Sequence, residues 1–301
     1  MKKIRDKIIP AIFLVIFLAG LSVMLYPTFS NWWNRNMASH SVASYKETVA
    51  SIAPNDTAAL WEAAREYNKQ LAQLHAPFAN FDKLSGYDDL LNVSGTGVMG
   101  YISIPTIRVE LPIYHGTEEG VLQVAAGHIQ GSSLPVGGAD THAVISGHRG
   151  LPSAKLFTDL DRMVEGDIFT VNVLDDILTY EVEKILIILP DHTEELSIIP
   201  QKDYVTLMTC TPYGVNSHRL LIRAHRIDTI YDRHIRVPAD ALQLDRMTVI
   251  PVVFVIVLIL MGIVSAIFNR NKRIIRIDKY ITAKLPSGDF EKHEKQSSDI
   301  E

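Results

Sequence analysis

The chain of 301 residues carries a single cysteine, Cys210. One thiol can build neither an intramolecular disulfide nor a cysteine-based zinc site, so no such staple organises the fold. An excess of positive charge is also missing. The 29 Lys and Arg residues stand against 34 Asp and Glu, a formal net charge of -5, and no basic field is present to draw in nucleic acid. Glycine and proline, at 17 and 14, are too few for collagen-like or low-complexity character. One main globular domain is expected, and no internal repeat is visible.

Charge is absent altogether from two stretches, 8–26 and 249–268, each about the length that spans a bilayer core. Both read as transmembrane helices. Lys2, Lys3, Arg5 and Lys7 precede the first, and Arg270, Lys272, Arg273, Arg276 and Lys279 follow the second. The positive-inside rule therefore places both tails in the cytoplasm and the intervening residues outside. A cleaved signal peptide is the alternative for the first run. No Ala-x-Ala pattern follows it, however, and its apolar core exceeds the roughly 7 to 15 residues usual for such a peptide.

Trp32 and Trp33 lie just beyond the first run, as interfacial aromatics do, and a polar helical region follows. Pro54, Asn55 and Asp56 mark a helix start. Leu60, Ala64, Tyr67, Leu71 and Leu74 then recur at helical spacing on one face of a helix ending near Leu74. Residues 79–96 read as an irregular polar loop. After Gly100 come short β-branched segments separated by Gly, Pro and Asp, at 101–104, 109–114, 143–147, 168–173, 178–189, 204–209 and 220–227. Strands in such succession suggest a closed or nearly closed antiparallel barrel, with residues 155–163 as the one helix inside it. Residues 284–301 form a polar, charged tail with the composition of a disordered segment.

A free thiol on the outer face of a membrane is exposed to oxidation, so a chain gains little by keeping one as a small core residue. Cys210 ends a strand-like run and is followed by Thr211, Pro212, Tyr213 and Gly214, which places it at the rim of the sheet. An ordinary thiol, with a pKa of about 8.5, needs a neighbouring base or cation to act as a nucleophile. Of 11 histidines, His148 is the best placed, in Gly147-His148-Arg149-Gly150 after the run 143–147. Along 217–227, alternation puts Arg219, Leu221, Arg223 and His225 on one face and Leu220, Ile222 and Ala224 on the other, the core side. A loop over 211–217 can form a hairpin returning Arg219 to the thiol, where its fixed donors suit a developing oxyanion. On spacing alone, an inert buried thiol, a solvated or core histidine and a surface arginine remain open alternatives.

Three long motifs narrow this. TLMTCTPYGVNSHRLLIRAHR (206–226), HAVISGHRGLPSAKLFTDLD (142–161) and AGHIQGSSLPVGG (126–138) closely resemble class C, pilin-polymerising sortases of Gram-positive bacteria. The resemblance covers about Gly100 to Arg226, and the two-anchor layout agrees with it. It implies an all-β dominated fold, an eight-stranded sortase-type β-barrel with N-terminal helices and two transmembrane helices. It also implies a cysteine transpeptidase in which Cys210 is the nucleophile, His148 the acid/base and Arg219 the oxyanion-stabilising third residue. Gly147 stands where alanine is common, a change expected to be tolerated.

The family often carries a lid with an Asp-Pro-aromatic motif. Ala76-Pro77-Phe78 keeps the proline and the aromatic without the aspartate, so Pro77 and Phe78 are the candidate lid residues. No metal and no organic cofactor is expected. The implied partners are pilin subunits with LPxTG-like sorting signals and an acceptor lysine, together with the membrane of a Gram-positive cell. Two short stretches look like sorting signals themselves: Leu285-Pro286-Ser287-Gly288, on the cytoplasmic side, reads as coincidence, and 134–138 as a structural loop.

The expected organisation is a basic tail (1–7), a transmembrane helix or signal anchor (8–26), an extracellular helical region with the lid (27–99), the catalytic barrel (100–230), a linker (231–248), a second transmembrane helix (249–268) and a cytoplasmic tail (269–301). The competing functions are a housekeeping-type sortase that attaches proteins to peptidoglycan and a non-enzymatic surface binding protein.

Overall fold

The computed structural model describes residues 2–229 and three isolated positions, Val255, Leu258 and Gly262. Those three positions apart, the second apolar run, the tail after it, the Leu285–Gly288 motif and the whole 231–248 linker therefore lie outside the described residues. The elements below all belong to one compact unit, Met1–Gln243.

Helix α1 runs unbroken over Lys2–Ala50, so the boundary expected at residue 26 leaves no mark on the backbone. The helix segment from Val15 is long and apolar enough to cross a membrane, and none of its apolar window is buried in the protein. The second half of α1 is of a different kind. Ala38, Val42 and Tyr45, at steps of 4 and 3, are buried against the barrel. Helix α2 (Pro54–Ala72) starts with Pro54 in its first turn, where a missing N–H costs nothing. Its buried face includes Ala64, Tyr67 and Leu71 of the stripe read from the sequence, together with Trp61, while Leu60 and Leu74 are only partly buried. Polar groups fix its position: Trp61 Nε1 donates to Asp175 Oδ1 at 2.9 Å, and the Asn68 side chain bonds both the N–H and the C=O of Leu134. Leu134 and Val136 are core residues, so the 134–138 stretch is a structural loop. The 79–96 region begins inside α3 (Pro77–Asn80) and continues through a 3₁₀ turn at Phe81–Lys83 before its irregular part.

Eight strands close the barrel: β1 (Val98–Ile104), β2 (Val109–His115), β3 (Ala126–His128), β4 (Thr141–Ser146), β5 (Ile168–Val173), β6 (Asp176–Ile188), β7 (Asp203–Thr211) and β8 (His218–Ile227). Their order around the barrel is β1-β2-β3-β4-β7-β8-β6-β5, with β5 pairing back to β1. The barrel is not wholly antiparallel, as the sequence reading expects. The pairs β2–β3 and β4–β7 are parallel. Strand β3 is absent from that reading because three residues, one of them glycine, carry no alternation. It exists because β2 and β4 offer ladder groups on either side of it.

The helix expected over 155–163 is also corrected. Only Leu160–Arg162 forms a 3₁₀ turn, and Leu156 has a left-handed φ of 37° that a helix cannot contain. The spacing of Leu156, Phe157, Leu160 and Met163 looks helical. It arises because these side chains are all buried in the main hydrophobic core.

The register defines the two ends of the barrel. At one end β4 and β7 finish and β8 begins. At the other lie the start of β1, the end of β5 and the start of β6.

Candidate active site

The hairpin of β7 and β8 sets Cys210 directly opposite Arg219. Alternation sends Val205, Leu207 and Thr209 inward and leaves Met208 and Cys210 on the outer face, with Leu221 and Arg219 beside them. Facing positions in such a pair hold their Cβ atoms about 5 Å apart. The hairpin argued from a loop over 211–217 is thus present, with Arg219 paired opposite Cys210 in the ladder.

His148 reaches the same place by another route. Parallel pairing of β4 with β7 puts Ser146 beside Met208, and His148 and Cys210 each lie two residues further on. The ladder continues past the strand end: Gly147 N–H donates to Met208 C=O at 3.0 Å, and the buried Thr209 Oγ1 donates to Gly147 C=O at 2.7 Å. His148 is partly exposed, and its Nε2 lies 3.9 Å from Glu119 Oε2. Arg219 is also partly exposed, and its Nη1 donates to the carbonyls of Asn216 and His218, both at 3.2 Å. All three residues singled out in the sequence therefore converge at one end of the barrel.

Three participants at this site carried no signal in the sequence reading. Arg149 bonds Thr211 Oγ1 at 3.3 Å, pairs with Asp161 and lies over the ring of Tyr213, so it ties the loop after His148 to the loop after Cys210. Phe157 occupies the space where a Cβ at Gly147 would sit: such an atom would lie 2.7 Å from Phe157 Cδ2. Glycine at 147 is accommodated without strain, whereas an added Cβ would require the Phe157 ring to shift. The connection between β6 and β7 covers part of the outer face. Leu196 is buried with Val144 and Leu221, while Glu195 meets Arg223 at 3.3 Å and Lys184 at 3.5 Å. Leu221 and Arg223 are thereby buried, although the sequence places them on the non-core side of β8.

The Ala76-Pro77-Phe78 segment lies on this face as well. Ala76 has a left-handed φ of 50°, which turns the chain sharply after α2. Phe78 packs on the cluster of Val144, Leu196 and Leu221 together with Ile129 and Met208. The approach is close enough that a Cβ on Gly131 would meet the Phe78 backbone at 2.9 Å. Phe78 thus sits on an outer-face apolar cluster that Met208, two residues before Cys210, also joins.

The remaining buried histidines have structural partners. His128 meets Tyr87 Oη, Ser132 Oγ and the Ser133 carbonyl, and His142 meets Thr206 Oγ1 and the Ser197 carbonyl. Burial pushes each imidazole down to about 4, so both are neutral at pH 7. Among the described residues, no group of three or more His, Cys, Asp or Glu side chains is arranged to hold a metal ion.

Comparison with known proteins places this geometry. The Sortase domain family model matches residues 102–227. Sortase A of Streptococcus agalactiae serotype III (strain NEM316) is 32% identical over 117 residues, 38% of this chain and 47% of that relative, so the match spans about half of the relative's length. The solved structure of sortase C1 from Streptococcus agalactiae is 45% identical with a TM-score of 0.59, covering 64% of this chain and all of that one. Sortase C of Streptococcus pneumoniae, whose structure bears on catalysis and pilin substrate specificity, is 43% identical with a TM-score of 0.58, over 63% of this chain and 97% of that one. An eight-stranded barrel of this topology, matched over the full length of a sortase C at such identity, makes this chain a member of the sortase family, on its class C branch.

Proposed function

We propose that this chain is a membrane-anchored cysteine transpeptidase that polymerises pilin subunits, and that Cys210, His148 and Arg219 are its catalytic residues. The observation that carries the reading is the register of β7 with β8, which holds Cys210 and Arg219 opposite each other while the β4–β7 ladder delivers His148 alongside. The thiolate of Cys210 attacks the Thr–Gly carbonyl of an LPxTG-like sorting signal. Arg219 turns from the Asn216 and His218 carbonyls to donate to the oxyanion. Protonated His148 gives its proton to the departing glycine amine, and a thioester to Cys210 remains. A lysine amine of the next subunit attacks the thioester, neutral His148 accepts its proton, and the thiolate leaves. The product is an isopeptide bond. The energy of the cleaved peptide is carried through the thioester, so no nucleotide is consumed.

The likeness to a sortase C whose structure concerns pilin specificity supports pilins as substrates. The apolar start of α1 supports an anchor at a Gram-positive cell membrane. Incubating the full chain with a pilin bearing an LPxTG-like signal should give a covalent ladder, and mass spectrometry should find the acyl group on Cys210. Cys210→Ala should retain the barrel and form neither species. A ladder from that variant in the absence of any other sortase would refute the assignment.

A further inference from the structure

The site stands at one end of the barrel, and the path of α1 tells which way that end faces. Near its middle, α1 is bonded to the loop that follows His148: Asn31 Oδ1 accepts from Lys155 N–H at 2.9 Å, and Asn34 Nδ2 donates to Ser153 C=O at 2.9 Å. This loop belongs to the end where β4 and β7 finish. Fourteen residues later, Tyr45 Oη donates to Met99 C=O and accepts from Leu174 N–H, at the start of β1 and the turn after β5, which is the opposite end. The helix therefore runs alongside the barrel from the Cys210 end to the far end, a rise of about 21 Å comparable to the length of the seven-residue strands β1 and β2 on which it packs. Its apolar first part can leave the barrel only from the Cys210 end.

The distance left over is small. From Tyr26, the last residue of the uncharged run, to Asn31 is about 8 Å of helix. In this interval and just beyond it, Tyr26, Phe29, Trp32 and Trp33 are exposed, and the ring of Phe29 lies against both tryptophans. Aromatics of this kind settle at the headgroup level of a bilayer. A second, independent observation comes from the barrel itself. Its exposed large apolar side chains gather at the Cys210 end, as Val124, Val164, Ile187, Leu189, Tyr213 and Val215, whereas Ile177 and Ile199 lie at the other.

From these observations we infer that the catalytic end of the barrel rests on the outer surface of the phospholipid bilayer, with the loops around Val164 and Val215 in the headgroup layer. This rests on the reading of α1 as a membrane anchor. The consequence concerns delivery. A substrate whose sorting signal borders its own membrane segment would present its scissile bond at the height of Cys210. Substrates then reach the thiol by lateral diffusion in the bilayer, not from bulk solution.

The test uses the full chain carrying Cys210→Ala, reconstituted in vesicles of phosphatidylglycerol and phosphatidylethanolamine that contain a headgroup spin-labelled lipid. Single cysteines replace Val215 or Val164 at the site end, and Ile199 or Lys202 at the far end, and each carries a fluorophore. Quenching several-fold stronger at Val215→Cys and Val164→Cys than at Ile199→Cys and Lys202→Cys is the expected result. Flotation of the same samples separates the two claims. Protein that fails to float with the vesicles overturns the anchor and the orientation with it. Protein that floats, with quenching equal at both ends or stronger at Ile199 and Lys202, overturns the orientation alone.

Discussion

Replacing Gly147 by alanine should destabilise this chain, although alanine is the commoner residue before the histidine in related motifs. The added methyl would stand 2.7 Å from Cδ2 and 2.9 Å from Cγ of Phe157, a ring that is fully buried. The backbone is equally fixed: Gly147 N–H is bonded to Met208, its carbonyl to Thr209, and His148 C=O to Phe157 N–H. Overpacking of this kind costs about 1–3 kcal/mol. For a domain of this size that lowers Tm by roughly 2–4 °C per kcal/mol. Strain released through the backbone would shift His148 against Cys210, so turnover should fall further than the loss of folded protein explains. The assay is thermal unfolding and acyl-enzyme formation for Gly147→Ala, Phe157→Leu and the double variant, in one detergent. Leucine at 157 opens space for the methyl, so the double variant should be more stable than the sum of the single effects implies. A Gly147→Ala chain with unchanged Tm, or strictly additive effects, would refute the steric coupling.

Arg219→Lys should not recover the activity lost in Arg219→Ala, because an ammonium lacks the planar fork of donors, and each variant should lose about 100- to 1,000-fold in acylation rate. Near wild-type single-turnover acylation by the lysine variant would show that charge alone suffices. Phe78→Ala should speed modification of Cys210 by a bulky thiol reagent about tenfold, since about 1.5 kcal/mol of apolar burial holds the segment down, and an unchanged rate would mean that it does not cover the thiol. Stability should fall as pH drops from about 6.5 towards 4, the window in which the unfolded chain protonates His128 and His142 but the fold resists. Burial raises the Asp203 carboxyl, and a raised acid favours the fold as pH falls, so this group works against the loss in the carboxylate range. Urea unfolding of the full chain between pH 7.5 and 4.5 measures the balance, and a flat profile would contradict the buried neutral state of both imidazoles.

How much of this was legible in the sequence depended on whether the signal was local. The stripe Leu60, Ala64, Tyr67, Leu71 and Leu74 is a property of one helix, and the structure buries Ala64, Tyr67 and Leu71 while leaving Leu60 and Leu74 partly exposed. Alternation along 220–224 was equally local: Leu220, Ile222 and Ala224 are barrel core. Failures occurred where another element supplied the reason. Ala126–His128 is a strand only between two partners. Leu156 and Phe157 are buried in the core from an irregular loop, which a periodicity count cannot distinguish from a helix face. Leu221 is buried by Leu196, a residue 25 positions upstream on a loop with no pattern of its own. The need for glycine at 147 is of the same kind, since it is set by a ring ten residues away.

The candidate site shows why three residues from two distant motifs were readable while their support was not. Cys210 and Arg219 are joined by a hairpin, so nine positions of sequence already contain their geometry. His148 is 62 positions from Cys210, and only the parallel pairing of β4 with β7 closes that gap. That pairing is possible because β5 and β6, which lie between them in sequence, are carried away to the other side of the barrel, where β6 pairs with β8 and β5 with β1. The alignment of His148 therefore depends on closure at the β1–β5 seam, two strands with no residue in the site. Damage to Ile102 or Val171, which pair across that seam and are fully buried, should loosen the β4–β7 ladder through the barrel as a whole. It should raise the mobility of His148 before it alters the hairpin that holds Cys210 and Arg219.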